Sequence, residues 1–227
     1  MGAIHFSLDE RLLTFVREQL PLAQFVETGT FQGDTLDMAR RHFPRCESVE
    51  LSQHYFEQAR QRFAGPDGVE LFCGPSPEFL RQHRQQHQVT PTLFWLDAHW
   101  CVADETGGED SQSPILDELA AIELLHPDSV LLIDDARLYL CAPPKPHRLG
   151  DWPDWHDLSR ALARLSDTHR VTVYNDVIAC YPARIRPALD RHMQEHGADW
   201  LKLARDARRH REGKARWSWL RLRRKGA

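Results

Sequence analysis

The fold is decided by a stretch near the start of the chain, Val26-Glu27-Thr28-Gly29-Thr30-Phe31-Gln32-Gly33-Asp34-Thr35. It reads as the end of an apolar strand, a glycine turn and the start of a helix. Gly29 and Gly33 lack side chains where the backbone must bend and approach a ligand. Free N–H groups at the start of the following helix favour a negatively charged or polar small molecule. The spacing Gly-x-x-x-Gly does not meet the dinucleotide fingerprint Gly-x-Gly-x-x-Gly, and a tight structural loop is the alternative interpretation.

Composition predicts a single domain with an appendage, because 227 residues with 41% hydrophobic content are enough to form one sizeable hydrophobic core. The start of the chain lacks the pattern of a signal peptide, and no apolar stretch is long enough to span a bilayer. We therefore expect a cytoplasmic protein. The five cysteines include no Cys-x-x-Cys pair, so we expect small hydrophobic side chains in a reducing compartment and no zinc site.

Charge is unevenly distributed along the chain. From Lys202 onward there are 11 Lys and Arg against 2 Asp and Glu, which leaves 18 against 31 in the preceding residues. We predict a domain over residues 1–183 and a basic helical extension over 184–227. The segment Lys214–Lys225 interleaves basic residues with Trp and Leu. We expect it to bind, in order of preference, the acidic body of its own chain or of a second subunit, an anionic surface at the inner face of the membrane, or nucleic acid.

Apolar runs separated by helical segments predict a parallel sheet covered on both faces. The predicted strands end near Glu27, Leu51, Cys73, Leu96 and Ile133. Ser7 to Glu10 forms a predicted capping box, so the first helix is expected from Leu8 to about Leu20. Two further strands flank Asn175-Asp176, and a two-residue turn of this kind predicts a hairpin whose last strand runs antiparallel to the others.

Polar residues follow several of these predicted strands. Glu50 ends the second strand, where a carboxylate can accept hydrogen bonds from a ribose diol; a solvent-exposed acid is the alternative. Gly74-Pro75-Ser76 repeats the order of strand, glycine and helix start. Asp97, Asp134 and Asp135 follow neighbouring strands, so their carboxylates should converge into a hard-oxygen set suited to Mg²⁺. The alternative is that these acids cap helices or bind backbone.

The order of these motifs resembles that of the class I S-adenosylmethionine-dependent methyltransferases. The residues within the motifs are similar to those of metal-dependent small-molecule O-methyltransferases of the macrocin type. The resemblance covers about residues 22 to 182 and implies an α/β fold. That fold is a Rossmann-like, doubly wound, mostly parallel seven-stranded sheet with a terminal antiparallel hairpin strand. The resemblance implies S-adenosylmethionine as cofactor, and Mg²⁺ held by the three aspartates is a further expectation. It also implies these cofactor-binding positions: Glu27, Thr28, Gly29, Thr30, Gly33, Asp34, Thr35, Glu50, Ser52, Gly74, Pro75, Ser76 and Asp97. Pro75 departs from relatives that place an acid there for the adenine amine.

The predicted reaction is methylation of a hydroxyl group on a small acceptor such as a sugar. A hydroxyl is a poor nucleophile at neutral pH, so a base, a metal or both are needed. His99, with Asp97 as the second catalytic candidate, is the predicted base because imidazole titrates in the useful range. The alternative is that His99 only packs against Trp100 or binds a carboxylate. The polar segment Cys101–Ser113 is a predicted lid, and Cys141–Trp155 is expected to shape the acceptor pocket.

Two other functions compete with this hypothesis. The basic tail suits an RNA or protein methyltransferase, and Pro75 suits a protein that binds the nucleoside without transferring a methyl group. A homodimer is a further expectation.

Overall fold

A computed structural model describes residues 7–65, 68–100 and 111–210 of the chain. The chain divides into two compact units, residues 1–190 and 191–227. The predicted organisation into a domain over 1–183 and an extension over 184–227 stays a prediction, because compactness alone does not test independent folding.

Unit 1 is built on one seven-stranded sheet. Its strands are β1 Gln24–Thr28, β2 Cys46–Glu50, β3 Val69–Cys73, β4 Thr92–Leu96, β5 Val130–Ile133, β6 His169–Tyr174 and β7 Val177–Pro182. Their order in the sheet is β3-β2-β1-β4-β5-β7-β6. Neighbours from β3 to β5 are parallel, whereas β7 is antiparallel to both β5 and β6. This topology confirms the predicted fold class.

The register of the sheet brings the ends of the central strands level. Thr28 pairs with Leu96, and Leu96 pairs with Ile133. The residues that follow these three positions therefore lie along one edge of the sheet, as expected for parallel strands. β1, β2, β4, β5 and β7 are buried along their whole length, because helices cover both faces.

Helices alternate with the parallel strands. On one face of the sheet, helix residues such as Leu80, Leu119 and Leu158 are fully buried, where they pack with Val26 and Phe94 of the sheet. The helices are α1 Glu10–Gln19, α2 Asp34–Ala39, α3 Gln53–Arg62, α4 Ser76–Val89, α5 Ile115–Ile122, α6 Arg137–Leu140, α7 Trp155–Arg164 and α8 Arg186–His196, with short 3-10 turns at Leu149–Asp151 and Ala183–Ile185. In unit 2, the backbone over 200–210 is helical. Within the described ranges, no helix is both long and apolar enough to cross a membrane.

The predicted capping box at the first helix is wrong. Asp9 is the N-cap of α1, and its Oδ1 atom accepts a hydrogen bond of 2.8 Å from the Leu12 amide. Ser7 lies two residues too early for this role. Its hydroxyl group instead donates to Asp134 Oδ2 at 3.1 Å, so Ser7 lies at the edge of the sheet where the predicted site lies.

Candidate active site

The turn after β1 packs directly onto the end of β4. Gly29 has φ +83°, and a Cβ atom built there would lie 2.3 Å from the carbonyl oxygen of Asp97. Its amide also donates to the Val49 carbonyl at 2.9 Å. Only glycine allows both the left-handed backbone and this close approach. Gly33, at φ +78°, is the N-cap of α2.

Glu50 is tied to the turn by two backbone hydrogen bonds. Its Oε2 atom accepts from the Phe31 amide and its Oε1 atom from the Ser52 amide, each at 2.8 Å. The Phe31 ring packs 4.5 Å from the ring of Tyr55, which holds the tip of the turn. A carboxylate offers about four lone-pair positions, so each oxygen of Glu50 can still accept a further donor.

A chain of buried hydrogen bonds runs behind the turn. The Ser48 hydroxyl group donates to Glu27 Oε2 at 2.6 Å, and the Thr30 hydroxyl lies 2.6 Å from Ser48 Oγ. Burial raises the pKa of Glu27 to about 8; the Ser48 hydrogen bond opposes this change, and the nearby charges of Asp97 and Glu50 add to it. Glu27 is therefore a mostly protonated carboxyl group at neutral pH, one that a neighbouring cation would ionise.

Not all predicted cofactor positions converge. Asp34 is 79% exposed at its side chain and pairs with Arg62 at 2.7 Å, on the outside of α2. Thr35 is half-buried in the first turn of the same helix. Thr28, by contrast, is fully buried at the sheet edge, where its hydroxyl lies 3.3 Å from the Asp97 amide. The structure thus gathers Thr28, Gly29 and Thr30 with Glu27 and Glu50, and leaves Asp34 apart.

The turn after β3 lies beside Glu50. Gly74, at φ +148°, donates to the Glu50 carbonyl at 2.9 Å, and a Cβ atom built on it would meet no atom within 4 Å. Pro75 is the N-cap of α4, and Ser76 is its first, buried residue. The turn therefore leaves open space on one side and a buried hydroxyl group on the other.

His99 joins the acids that follow β4 and β5. Its Nε2 atom lies 3.1 Å from Asp97 Oδ1 and 3.5 Å from Asp135 Oδ2. These are close charge contacts, although Nε2 has no aligned hydrogen-bond partner among residues 7–65, 68–100 and 111–210. The ring of Trp152 packs 5.6 Å away. A residue of the predicted acceptor-pocket segment thus covers the imidazole.

Burial and charge oppose each other at His99. Burial lowers the pKa of the imidazole, but the Asp97 carboxylate and the charges of Asp135 and Asp134 outweigh it and raise the pKa to about 9. Burial and repulsion by Asp97 and Asp135 raise the pKa of Asp134 to about 7, against a hydrogen bond from the Asp135 amide and the charge of His99. At neutral pH the cluster therefore contains an imidazolium and a partly protonated acid.

The three aspartates converge as predicted, but each already faces a partner within the protein. His99 contacts Asp97, the Ser7 hydroxyl and the Asp135 amide bind Asp134, and Arg137 binds Asp135 Oδ1 at 2.6 Å. Across the part of the chain that the structure describes, no three His, Cys, Asp or Glu side chains form a set that could hold a metal ion. The carboxylates as arranged do not fit Mg²⁺, and its binding stays a prediction. Residues 101–110 of the predicted lid lie outside the described residues.

Sequence reasoning missed Glu118. Its side chain is 1% exposed and lies in α5 on the inward stripe formed with Ile115, Leu119 and Ile122. The sequence did contain a signal, because Glu118 lies three residues after Ile115 and four residues before Ile122, which is the spacing of the buried face of a helix. Burial raises its pKa, while hydrogen bonds from Ser76 and Thr28 and the charge of His99 oppose that change.

Comparison with protein-family models and with curated proteins found no match. Comparison with solved structures found several that cover most of this chain. An amino pentose methyltransferase from Micromonospora echinaspora, solved with S-adenosylmethionine, is 14% identical, with a TM-score of 0.51 over 76% of this chain and 89% of its own. A Bacillus cereus O-methyltransferase solved with S-adenosylhomocysteine is 16% identical, with a TM-score of 0.52 over 76% and 78%.

Human methyltransferase-like protein 13, also solved with S-adenosylhomocysteine, is 16% identical, with a TM-score of 0.52 over 82% of this chain and 88% of its own. These structures share the arrangement of strands described above at low sequence identity, so the likeness concerns the fold. The chain has the fold of the class I S-adenosylmethionine-dependent methyltransferases.

Proposed function

We propose that this protein is an S-adenosylmethionine-dependent methyltransferase that acts on a hydroxyl group of a small molecule or sugar. The observation that carries this function is the meeting of three turns at one sheet edge. The Gly29 turn packs on Asp97, Glu50 binds the backbone of that turn, and Gly74 binds Glu50. The charged cluster at His99 lies beside them.

The three turns supply complementary contacts for the parts of the cofactor. Glu27 and the Gly29 turn would hold the methionine end, where the ammonium group would stabilise the ionised form of a carboxyl whose pKa is about 8. Glu50 would accept from the ribose hydroxyls with the lone pairs left by Phe31 and Ser52. The open side of Gly74 and the Ser76 hydroxyl would face the adenine.

When bound, S-adenosylmethionine would supply a methyl group on a positively charged sulfur, and transfer of that methyl group to the acceptor oxygen would leave the sulfur with the bond electrons as a neutral thioether. The protein must align the acceptor and accept its proton. His99 can accept a proton only in its neutral form, which is about one hundredth of the population at pH 7 when the pKa is about 9. Turnover should therefore rise with pH toward about 9, and His99→Ala should abolish that rise.

Divalent-metal assistance stays a prediction with a direct test. If Mg²⁺ binds, it raises the melting temperature of the protein, and Asp134→Ala removes that increase. An increase of the same size in the variant would contradict the assignment of Asp134. Glu123→Ala, a substitution of an exposed acid on the surface of unit 1, is the control.

The acceptor is proposed from the chemistry of the site and from the named activities of the amino pentose and Bacillus cereus enzymes. An RNA or protein methyltransferase remains the alternative suggested by the basic tail, and a nucleoside-binding protein without transferase activity is a second one. The tail segment 214–225 lies outside the described residues, and attachment to a membrane, to nucleic acid or to a second subunit stays a prediction.

Calorimetric titration with S-adenosylhomocysteine tests the cofactor site. We expect binding in the micromolar range, weakened at least tenfold by Glu50→Gln and unchanged by Glu70→Gln, since Glu70 is a half-exposed acid of the neighbouring strand. Absence of binding at high micromolar concentration would refute the function. Turnover is then measured with a panel of hydroxylated acceptors, RNA and peptides. The acceptor that is methylated distinguishes a small-molecule methyltransferase from an RNA or protein methyltransferase, and methylation of none of them indicates a binding protein.

A further inference from the structure

Gln112 is a buried residue whose side chain holds the segment that covers His99. The residue is 5% exposed, and its Oε1 atom accepts hydrogen bonds from the Arg148 amide at 2.7 Å and from the Trp152 indole N–H group at 3.2 Å. A carbonyl oxygen has two lone pairs, so both are used. Both donors belong to Cys141–Trp155, the segment that is predicted to shape the acceptor pocket. One side chain therefore fixes this segment at two points.

The main chain of Gln112 makes two further hydrogen bonds. Its carbonyl oxygen accepts from the Trp100 amide at 2.8 Å, and its amide donates to Asp151 Oδ2 at 3.1 Å. Trp100 directly follows His99 in the chain after β4. The residue next to the predicted base and the segment that covers this base are therefore tied to the same position of the chain.

The indole of Trp152 is the group that this arrangement places against His99. Trp152 is 6% exposed, and its ring centroid lies 5.6 Å from that of His99 and 5.4 Å from that of Tyr139. Aromatic rings pack favourably in several relative orientations, whereas a hydrogen bond is directional. A buried N–H group without an acceptor is also unfavourable. The bond to Gln112 therefore sets the orientation in which the indole covers the imidazole.

We propose that Gln112 is a positioning residue on the acceptor side of the site, which holds the Trp152 indole over His99. This inference rests on the proposed function, because it assigns the wall beside which the acceptor hydroxyl group would approach His99. The partners of Gln112 lie after β4 and within residues 148–152, whereas the turns proposed to bind the cofactor follow β1, β2 and β3. A change at Gln112 should therefore act on the acceptor and leave cofactor binding intact.

Exchange of the Trp152 indole proton with solvent tests the inference without any ligand. The NMR signal of this N–H group is identified by its loss in Trp152→Phe. Gln112→Leu removes the acceptor, so exchange should become about tenfold faster or more, and the nuclear Overhauser contact between the indole and the His99 ring should weaken. Gln112→Glu keeps an acceptor oxygen at the same distance from the backbone and should stay within about threefold of the wild type. Gln112→Met serves if the leucine variant does not fold, and the faster exchange is expected again.

Binding and turnover separate a positioning role from a general loss of structure. In calorimetry, Gln112→Leu should bind S-adenosylhomocysteine within about twofold of the wild type, since the cofactor turns keep their contacts. With an acceptor that the wild-type protein methylates, kcat/KM should fall by about tenfold in Gln112→Leu, because alignment at His99 is lost, and should recover in Gln112→Glu. Gln85→Leu, which replaces an exposed glutamine of α4, is the control and should change none of these values.

The outcomes separate this inference from the proposed function. An unchanged exchange rate in a folded Gln112→Leu or Gln112→Met variant would overturn the inference, and so would a released indole with an unchanged kcat/KM. Parallel weakening of S-adenosylhomocysteine binding and of turnover would also overturn it, because that pattern indicates a general loss of structure. Failure of the wild-type protein to bind S-adenosylhomocysteine would instead refute the proposed function, and the indole exchange would still decide whether Gln112 holds Trp152.

Discussion

Replacing Glu27 by Gln should stabilise the protein at alkaline pH while weakening the cofactor site. Glu27 is a buried acid with a pKa raised from 4.5 to about 8, mainly by burial. A group with a raised pKa binds its proton more tightly in the folded than in the unfolded state. Its contribution to stability is therefore fully present below pH 4.5 and is lost as the pH rises through about 8.

The size of the effect follows from the two pKa values. At about 1.4 kcal/mol per pKa unit, the difference between 4.5 and about 8 corresponds to about 5 kcal/mol of lost stability above pH 8, an upper limit. Gln resembles the protonated acid and keeps an oxygen that can accept from Ser48. The free energy of unfolding of the variant should therefore lie within about 1 kcal/mol of the wild-type value at pH 5 and be several kcal/mol higher than the wild-type value at pH 8.5.

Urea unfolding at pH 5, 7 and 8.5 measures this difference. Glu47→Gln is a matched control, because Glu47 is a buried glutamate on the neighbouring strand. Burial raises its pKa, but His87 at 2.9 Å and Arg45 at 2.7 Å outweigh burial and lower it. Removing that charge should destabilise the protein at pH 7, by about 3–5 kcal/mol for a broken buried pair.

Opposite signs for the same substitution at Glu27 and Glu47 are the expected result. A Glu27→Gln variant that is less stable than the wild type at pH 8.5 would refute the reasoning. The same variant should bind S-adenosylhomocysteine at least tenfold more weakly, because an amide cannot neutralise an ammonium group. Greater stability together with weaker binding would mark Glu27 as retained for the ligand rather than for the fold.

Two further changes test the geometry of the site. Gly29→Ala should destabilise the protein by about 2–4 kcal/mol in urea unfolding and abolish cofactor binding, because the new Cβ meets the Asp97 carbonyl at 2.3 Å on a left-handed backbone; Gly150→Ala, which meets no atom within 4 Å, should change neither. His99 should titrate above pH 8 by NMR in the wild type and nearer 6.5 in Asp97→Asn, and its contribution to stability should be present below pH 6.5 and lost as the pH rises through about 9. A His99 titration near 6.5 in the wild type would contradict the charged cluster.

The strands were the most predictable part of the fold. β3, β4 and β5 occupy the predicted residues because apolar runs there end sharply at Gly74, Asp97 and Asp134. The hairpin turn at Asn175-Asp176 follows from local backbone preference, and Asn175 indeed has φ +57°. The cap of α1 was not predictable, since Ser7 and Asp9 are both good caps and a distant partner, Asp134, binds the first of them.

The site was predictable in outline for a topological reason. Parallel neighbouring strands must end at one edge, so Asp97 and Asp134 had to approach each other once the order of strands was known. The protonation of His99 could not be read in the same way, because it depends on the distances to three carboxylates. Glu118 escaped notice because an acid on an inward helical stripe has no local explanation.

The perturbed acids of this edge share one physical cause. Burial is the largest cause of the raised pKa at Glu27, Glu118 and Asp134, and the charge of Asp97 adds to it at all three. Such an arrangement disfavours the folded state as these groups ionise, and His99 offsets only part of the repulsion. A cationic ligand would relieve it further, and the proposed cofactor carries an ammonium and a sulfonium group against one carboxylate, which leaves it with a net positive charge. The buried acids at this edge and the positive groups of the proposed cofactor are therefore complementary in charge. This is the relation expected where a fold keeps buried acids to bind a ligand rather than to stabilise itself.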